Sequence, residues 1–355
     1  MSLLRHTTTF LILGLLTYGL LFYAYKYYLP IYGGNDFFEY AKMIASPLNH
    51  DAQAPYAYRV LSPGVAHLVY TLGIFYPIEV AFTSPEISQR VFFAALVTNY
   101  LFLLGAALTV MHLVRVYVRT QSFTVELAGA MVLLLSFTTF QYVVTGLTEG
   151  LSWLLVAVGF WCILRGWRLG IVAVLVLSVF QREAITFLFG TFAVVDLVLQ
   201  RRSRPFNAVV LSASVMCFLT YLIMRKVIFP LPGYENQIEV AGLWAGLTDF
   251  LALGFLDPNF FMMGVLSQNI AGLTLILAIG MWRRTPASDR SPYLPHTVFA
   301  AVVLLIVGYA AGIGSNVGRI LSLLNPIWAV LLIDQFSRFE RNEVAAAPID
   351  EALQR

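Results

Sequence analysis

The sequence predicts an all-α polytopic membrane protein of about ten transmembrane helices, and three observations predict it. First, 59% of the 355 residues are hydrophobic and only 12% are charged. An average soluble domain carries roughly 25% charged residues, so this chain lacks the polar surface that a soluble protein of its size needs. Second, the mean hydropathy is +0.78. Third, apolar runs of about 20 residues, the length that spans a bilayer, recur along the chain. A soluble enzyme, a disordered chain and a nucleic-acid-binding domain are excluded. The length leaves no room for a large soluble domain.

The first apolar run, 8–28, follows a lone Arg5 and continues as Tyr-Lys-Tyr-Tyr, without a small-residue cleavage site. It reads as a retained signal anchor that doubles as the first helix. Further spanning segments are predicted at 91–114, 124–143, 148–165, 206–224, 264–282, 295–313 and 319–336. The stretch 168–200 is apolar except for Gln181-Arg182-Glu183. Charges at mid-bilayer are expensive, so two helices, 168–180 and 184–200, are expected to meet at an outer-face turn. Segment 58–76 is apolar but is broken by Pro63-Gly64 and carries Arg59 and His67. If it does not cross and the N-terminus is cytoplasmic, most of the 22 basic residues fall inside. Crossing would turn every later arginine cluster outward, against the positive-inside rule. It is therefore expected to be interfacial or re-entrant, as half-inserted backbone is tolerated against protein. Residues 1–341 then form one transmembrane domain with outer loops at about 30–90 and 225–263. Residues 342–355 form a polar cytoplasmic tail. The large loops put the working site on the outer side.

Five short stretches can carry chemistry. In Asn35 to Tyr40, a helix would place Asp36, Glu39 and Tyr40 on one face. A carboxylate at a membrane boundary suits a general base that activates a hydroxyl, although it also suits a helix N-terminus. In Ala54 to Gly64, Tyr56, Tyr58 and Arg59 precede a Pro-Gly break, and Arg59 could pair with a carboxylate or grip a phosphate. It could equally snorkel in an aromatic belt. His67 reads as a satisfied polar residue of a half-buried helix. In Thr145 to Gly150, Thr148-Glu149 reads as a capped helix start. Gln181, Arg182 and Glu183 place three strong polar groups at a membrane hairpin tip, either as a local ion pair or as functional groups. In Gly312 to Arg319, three glycines and Asn316 let backbone approach a ligand, and Arg319 could bind an anionic headgroup. Arg225-Lys226 is a further cation pair at an outer helix end. Asp196 reads as structural beside Arg201, and Asp249 and Asp257 carry no diagnostic pattern.

Cys162 and Cys217 both lie in apolar runs, so neither a disulfide framework nor a Cys-based metal site is available. Histidines recur nowhere at metal-ligand spacing. Nucleotide-binding, serine-hydrolase and zinc-protease motifs do not occur. Energy must therefore come with the substrate or from a gradient.

The order of these stretches resembles the GT-C class of membrane glycosyltransferases, which use polyprenyl-phosphate-linked sugars. The resemblance lies in Gly34-Asn35-Asp36 with Tyr40, in Tyr58 to Pro63, in Thr148 to Leu151, in Arg182 to Ala184 and in Gly318 to Pro326. It implies inverting transfer to a hydroxyl acceptor (glycan, lipid or protein) at the outer membrane face. Asp36 would be the base. Arg182 and Arg319, with Arg225, Lys226 and Arg59, would hold the lipid phosphate. Glu39, Tyr40, Tyr58, Glu149, Gln181 and Glu183 would support them. Many members carry paired acids in the first loop, where this chain has Asn35-Asp36. Some use a divalent metal; neither a metal nor another cofactor is indicated here. The expected location is a bacterial inner (plasma) membrane, with both termini cytoplasmic and lipid as a partner. Rival readings are a lipid or solute transporter or flippase, which would be expected to show internal repeats, an acyltransferase, and a non-catalytic GT-C-like assembly subunit.

Overall fold

The computed structural model describes residues 3–27, 35–47, 51–53, 56–83, 87–140, 148–230, 268–282, 290–310 and 317–346. Every regular element in them is helical. The chain opens with α1 (Leu3–Tyr27) and two short helices, α2 (Asn35–Ala45) and α3 (Leu61–Thr71). Then come α4 (Gln89–Val118), α5 (Phe123–Leu134), α6 (Glu149–Arg165), α7 (Arg168–Val179), α8 (Ala184–Leu199) and α9 (Arg204–Ile223). The described chain ends with α10 (Asn269–Met281), α11 (Leu294–Ala310), α12 (Val317–Leu321) and α13 (Asn325–Ala346). The part of the expected late outer loop beyond residue 230, with Asp249 and Asp257, lies outside the described residues, as do 311–316 and everything past 346.

Each predicted spanning segment contains a helix, and the hairpin turn falls at 180–183, where the charged triplet predicts it. Among the described residues, four helices are long and apolar enough to cross a membrane: Thr7–Tyr27, Gln89–Val118, Arg204–Ile228 and Gly318–Arg341. Shorter apolar helices occupy the other segments. Within 124–143, α5 stops at Leu134 and, after a turn at 135–136, helix resumes over 137–140. Hydroxyl groups cause the break. Thr139 Oγ1 donates to the Leu133 carbonyl at 2.7 Å, and Ser136 Oγ lies 2.9 Å from Thr138 Oγ1. Such side chains compete with the backbone for helical hydrogen bonds. The last helix, α13, runs on to Ala346, and the apolar span that contains it ends at Arg341. Segment 58–76 contains only the 11-residue α3. At 1.5 Å per residue that helix is about half the thickness of a bilayer core.

Two helices form the centre. Most of the hydrophobic span of α4 is buried, and so is that of α13. The α4 helix packs against α1, α3, α5, α6 and α13. By contrast, α1 and α9 are largely exposed, and they present Leu15, Leu16, Val215 and Met216 outward. Exposed leucines in such continuous faces suit lipid rather than water. The turns are chemically specified. Gly166 takes φ +67°, its N–H bonds the Ile163 carbonyl, and the Trp167 N–H bonds the Cys162 carbonyl. This is a Schellman stop that only glycine adopts cheaply, and it reverses the chain into α7. A second, smaller core joins α2 and α3 to the start of α4. Phe37, Phe82 and Phe92 meet there with ring centroids 4.9–5.9 Å apart. His67 Nδ1 donates to the Ile44 carbonyl at 2.7 Å, the satisfied role expected of it. This core fixes α2, and with it Asp36, over the ends of the longer helices.

Candidate functional site

The site is built around Glu149, the first residue of α6, whose side chain is fully buried. Its Oε1 accepts from two arginines at once. Arg182 Nη1 donates from the α7–α8 turn, and Arg319 Nε from α12. Arg319 Nη1 also donates to Asp36 Oδ2 on α2. Asp36 and Arg319 are 283 residues apart in the chain. Beside them Arg59 pairs with Glu183 at 3.3 Å and donates to the Tyr40 hydroxyl at 3.2 Å. In this cluster Arg59, Arg182 and Arg319 balance Asp36, Glu149 and Glu183. Desolvation costs several kcal/mol per ion, and good pairing must offset it.

Neutral groups hold the charged ones in place. Gln181 is fully buried. Its Nε2 donates to the Thr148 carbonyl at 2.6 Å and to Ser152 Oγ at 3.2 Å, while its Oε1 accepts from the Ser62 N–H at 3.2 Å. One amide thus ties together the segments that carry Arg59, Glu149 and Arg182. Asn99, buried in α4, accepts the Gly150 N–H on its Oδ1 at 3.1 Å. A Cβ at position 150 would stand 2.5 Å from the Asn99 carbonyl oxygen. Glycine is therefore what lets α6 start this close to α4 and places Glu149 beside the arginines.

Four buried atoms of the cluster have no hydrogen-bond partner among the described residues: Arg59 Nε, Glu149 Oε2, Glu183 Oε2 and Arg319 Nη2. Buried polar groups are normally paired, so this arrangement has unused donors and acceptors. Burial would raise the Asp36 carboxyl. The Arg319 guanidinium, with the Tyr56 hydroxyl and Arg59, outweighs burial and holds it below the usual aspartate range. Burial and the Asp36 charge push the Tyr56 hydroxyl well up. Among the described residues no three His, Cys, Asp or Glu side chains gather as a metal site.

The structure therefore brings together Asp36, Tyr40, Arg59, Glu149, Gln181, Arg182, Glu183 and Arg319. Some expected partners differ. The charged triplet makes no local ion pair, since Arg182 bonds Glu149 and Glu183 bonds Arg59. Thr148 makes no side-chain cap; its hydroxyl lies 3.5 Å from that of Tyr40. Glu39 is occupied elsewhere, by Lys42 at 3.0 Å and the Gln53 N–H at 2.7 Å. Tyr58 donates to the Phe229 carbonyl at 2.6 Å and so anchors the first loop to the π turn Met224–Ile228. Arg225, on that turn, donates to the Tyr221 hydroxyl at 2.5 Å. Lys226 is exposed and makes none of the cluster's contacts. Asp196 pairs with Arg202 and His296 rather than through the side chain of Arg201.

Sequence reading missed Asn99 and Tyr221, and it placed Tyr56 beside Arg59 without its bond to Asp36. Asn99 had a signal, because an amide in the middle of an apolar run is costly without a partner. Tyr221 stands four residues before Arg225, a spacing at which helix side chains meet. Compared with protein-family models, with curated proteins and with solved structures, the chain matches none.

Proposed function

We propose that the chain is a GT-C-like glycosyltransferase of about ten transmembrane helices, working at the outer face of a bacterial inner membrane. It moves a sugar from a polyprenyl-phosphate carrier to a hydroxyl acceptor. One observation carries the reading: five short stretches between residues 36 and 319 converge on one buried carboxylate–arginine cluster with unused donors and acceptors. The orientation rests on the opposite end of the helices, whose turns carry Arg115, Arg119, Arg165, Arg168, Arg201, Arg202 and Arg204. Positive turns favour the cytoplasm, which puts the cluster outside.

In the proposed reaction the acceptor oxygen bonds to the anomeric carbon as the carbon–oxygen bond to phosphate breaks. Asp36 takes the acceptor proton, and the polyprenyl phosphate leaves with the bonding electron pair. Arg319 and Arg182 stabilise the charge that grows on phosphate, with Arg225 and Lys226 at the rim. The test is transfer from a radiolabelled polyprenyl-phosphate sugar in membrane vesicles. Asp36→Asn should lower the rate by about 10²–10⁴, the usual worth of a general base. Full activity of the folded variant would sink the role of Asp36.

The equal count of arginines and carboxylates favours one second reading, a non-catalytic assembly subunit that keeps the fold. Binding of a polyprenyl phosphate without any turnover would support it.

A further inference from the structure

Glu149 and Asp36 share Arg319 but are held differently. Glu149 is enclosed and is gripped by two arginines through one oxygen. Asp36 retains 18% side-chain exposure and sits on an 11-residue helix. Its described partners are Arg319 and the Tyr56 hydroxyl. Arg319 is itself buried, and its Nη2 has no partner among the described residues. The guanidinium thus has one terminal nitrogen on Asp36 and one unused. A guanidinium fork suits a phosphate through two parallel hydrogen bonds.

Charge decides what happens when an anion arrives. The buried pairs are already balanced, and the next cation, Arg225, acts on Glu183 rather than at Asp36, so a phosphate added at Arg319 would bring uncompensated negative charge into a buried site, which is strongly unfavourable. The cost falls if one carboxylate gives up its arginine. Glu149 cannot leave without unpairing two buried cations, whereas Asp36 is already partly exposed.

We infer that Asp36 and a phosphate-class anion compete for Arg319, so that the anion takes both terminal nitrogens of the guanidinium and Asp36 is released. The exchange stands on the cluster geometry alone. Its consequence for catalysis rests on the glycosyl-transfer reading. A carboxylate freed of its cation gains proton affinity, so the donor's phosphate makes Asp36 a competent base, and donor binds before acceptor.

The test uses the full chain in nanodiscs, with calorimetric titration of two probes, inorganic pyrophosphate and farnesyl phosphate. Asp36→Asn keeps the side-chain shape and removes the competing charge. It should bind the anion at least tenfold more tightly than the wild type, and Arg319→Gln should lose binding. Tyr56→Phe weakens the hold on Asp36 and should tighten binding severalfold, which gives a second reading if Asp36→Asn folds poorly. Equal or weaker binding by both variants overturns the exchange, as does failure of both probes to bind any variant. Tightening with pyrophosphate as well as farnesyl phosphate supports a seat for the phosphate group itself. Tightening with farnesyl phosphate alone supports a lipid headgroup seat. A chain that shows the exchange but transfers no sugar keeps this inference and loses the glycosyltransferase reading. A chain that transfers sugar with unchanged affinity in both variants loses the exchange alone.

Discussion

The two ends of the helical bundle use charge in different ways. At the end opposite the cluster, ion pairs close over short stretches of chain. Arg338 bonds Asp334 four residues away, and Arg115 bonds Glu126 across the α4–α5 turn. One longer tie joins His296 to Asp196 at 2.7 Å, with Arg202 alongside. Arginines outnumber acids there, and many of the turn arginines are exposed. Within the cluster the charges balance, and the pairs join residues 33, 124, 170 and 283 positions apart. An exposed surplus of one sign can orient a protein in a membrane, but it fixes little geometry. A buried, balanced set orients nothing, but it locks the first loop, the start of α6, the hairpin tip and α12 to one another. The apolar bundle is the cheap part of this fold, and the cluster is the part that every segment must agree on.

The largest expected effect follows from breaking that agreement. Glu149→Ala leaves Arg182 and Arg319 facing each other without their shared carboxylate. Breaking one side of a buried ion pair costs about 3–5 kcal/mol. Thermal unfolding in detergent should show a large loss of stability, and much of the protein should fail to accumulate. Arg115→Gln, at the other end, strips one buried carboxylate, Glu126, of its arginine, where Glu149→Ala strips two buried arginines of the carboxylate they share, so it should cost less. Equal losses for the two variants would break the distinction between the ends.

Next comes Gly150→Ala. The added methyl meets the Asn99 carbonyl at 2.5 Å, a contact that backbone cannot relieve by rotating. Overpacking of this kind costs about 1–3 kcal/mol, and it should shift Glu149 away from its arginines. Gly105→Ala is the control, because its nearest neighbour is a flexible Leu154 side chain at 3.5 Å. The control should unfold at or slightly above the wild-type temperature. Gln181→Leu ranks just below. It strips the Thr148 carbonyl and the Ser62 N–H of a partner, at about 1–3 kcal/mol for each buried group left unsatisfied that solvent cannot reach. Gln181→Glu keeps an acceptor for Ser62 but brings a further negative charge into the buried, balanced set and against the Thr148 carbonyl, so it should be no more stable than Gln181→Leu.

Much of this was legible in the sequence, and the illegible part has a common cause. Runs of apolar residues locate the helices because burial in lipid or protein needs a certain length. The Gln181-Arg182-Glu183 turn was legible because charge is expensive inside a bilayer. Partners across the bundle were not. Arg182 has Glu183 beside it in sequence, yet it bonds Glu149, because helix rotation and not chain proximity decides which side chains meet. Thr148 has the residue type of a cap, yet its carbonyl and hydroxyl serve Gln181 and Tyr40. The break after Leu134 escaped as well, since hydroxyls that turn back on their own helix read as ordinary span residues.

The smallest expected effect concerns acid, and it sharpens the comparison within the cluster. Arg319 holds the Asp36 carboxyl below its ordinary value, which is roughly 3.9 in an unfolded chain. A group depressed in this way contributes stability that is fully present above the unfolded value. The contribution is lost as pH falls through the lower, folded value. Wild-type melting temperature should therefore hold steady down to about pH 5 as far as Asp36 is concerned, and then fall. Asp36→Asn has no proton to gain at this site, so its acid limb should be shallower, although its melting temperature near neutrality is lower. Melting curves taken between neutral pH and pH 3 separate the cases. Parallel acid limbs for the two proteins would mean that the Arg319 pair contributes nothing to folding. Asp36 would then be free to leave Arg319 at no cost, and phosphate binding would gain little from its removal.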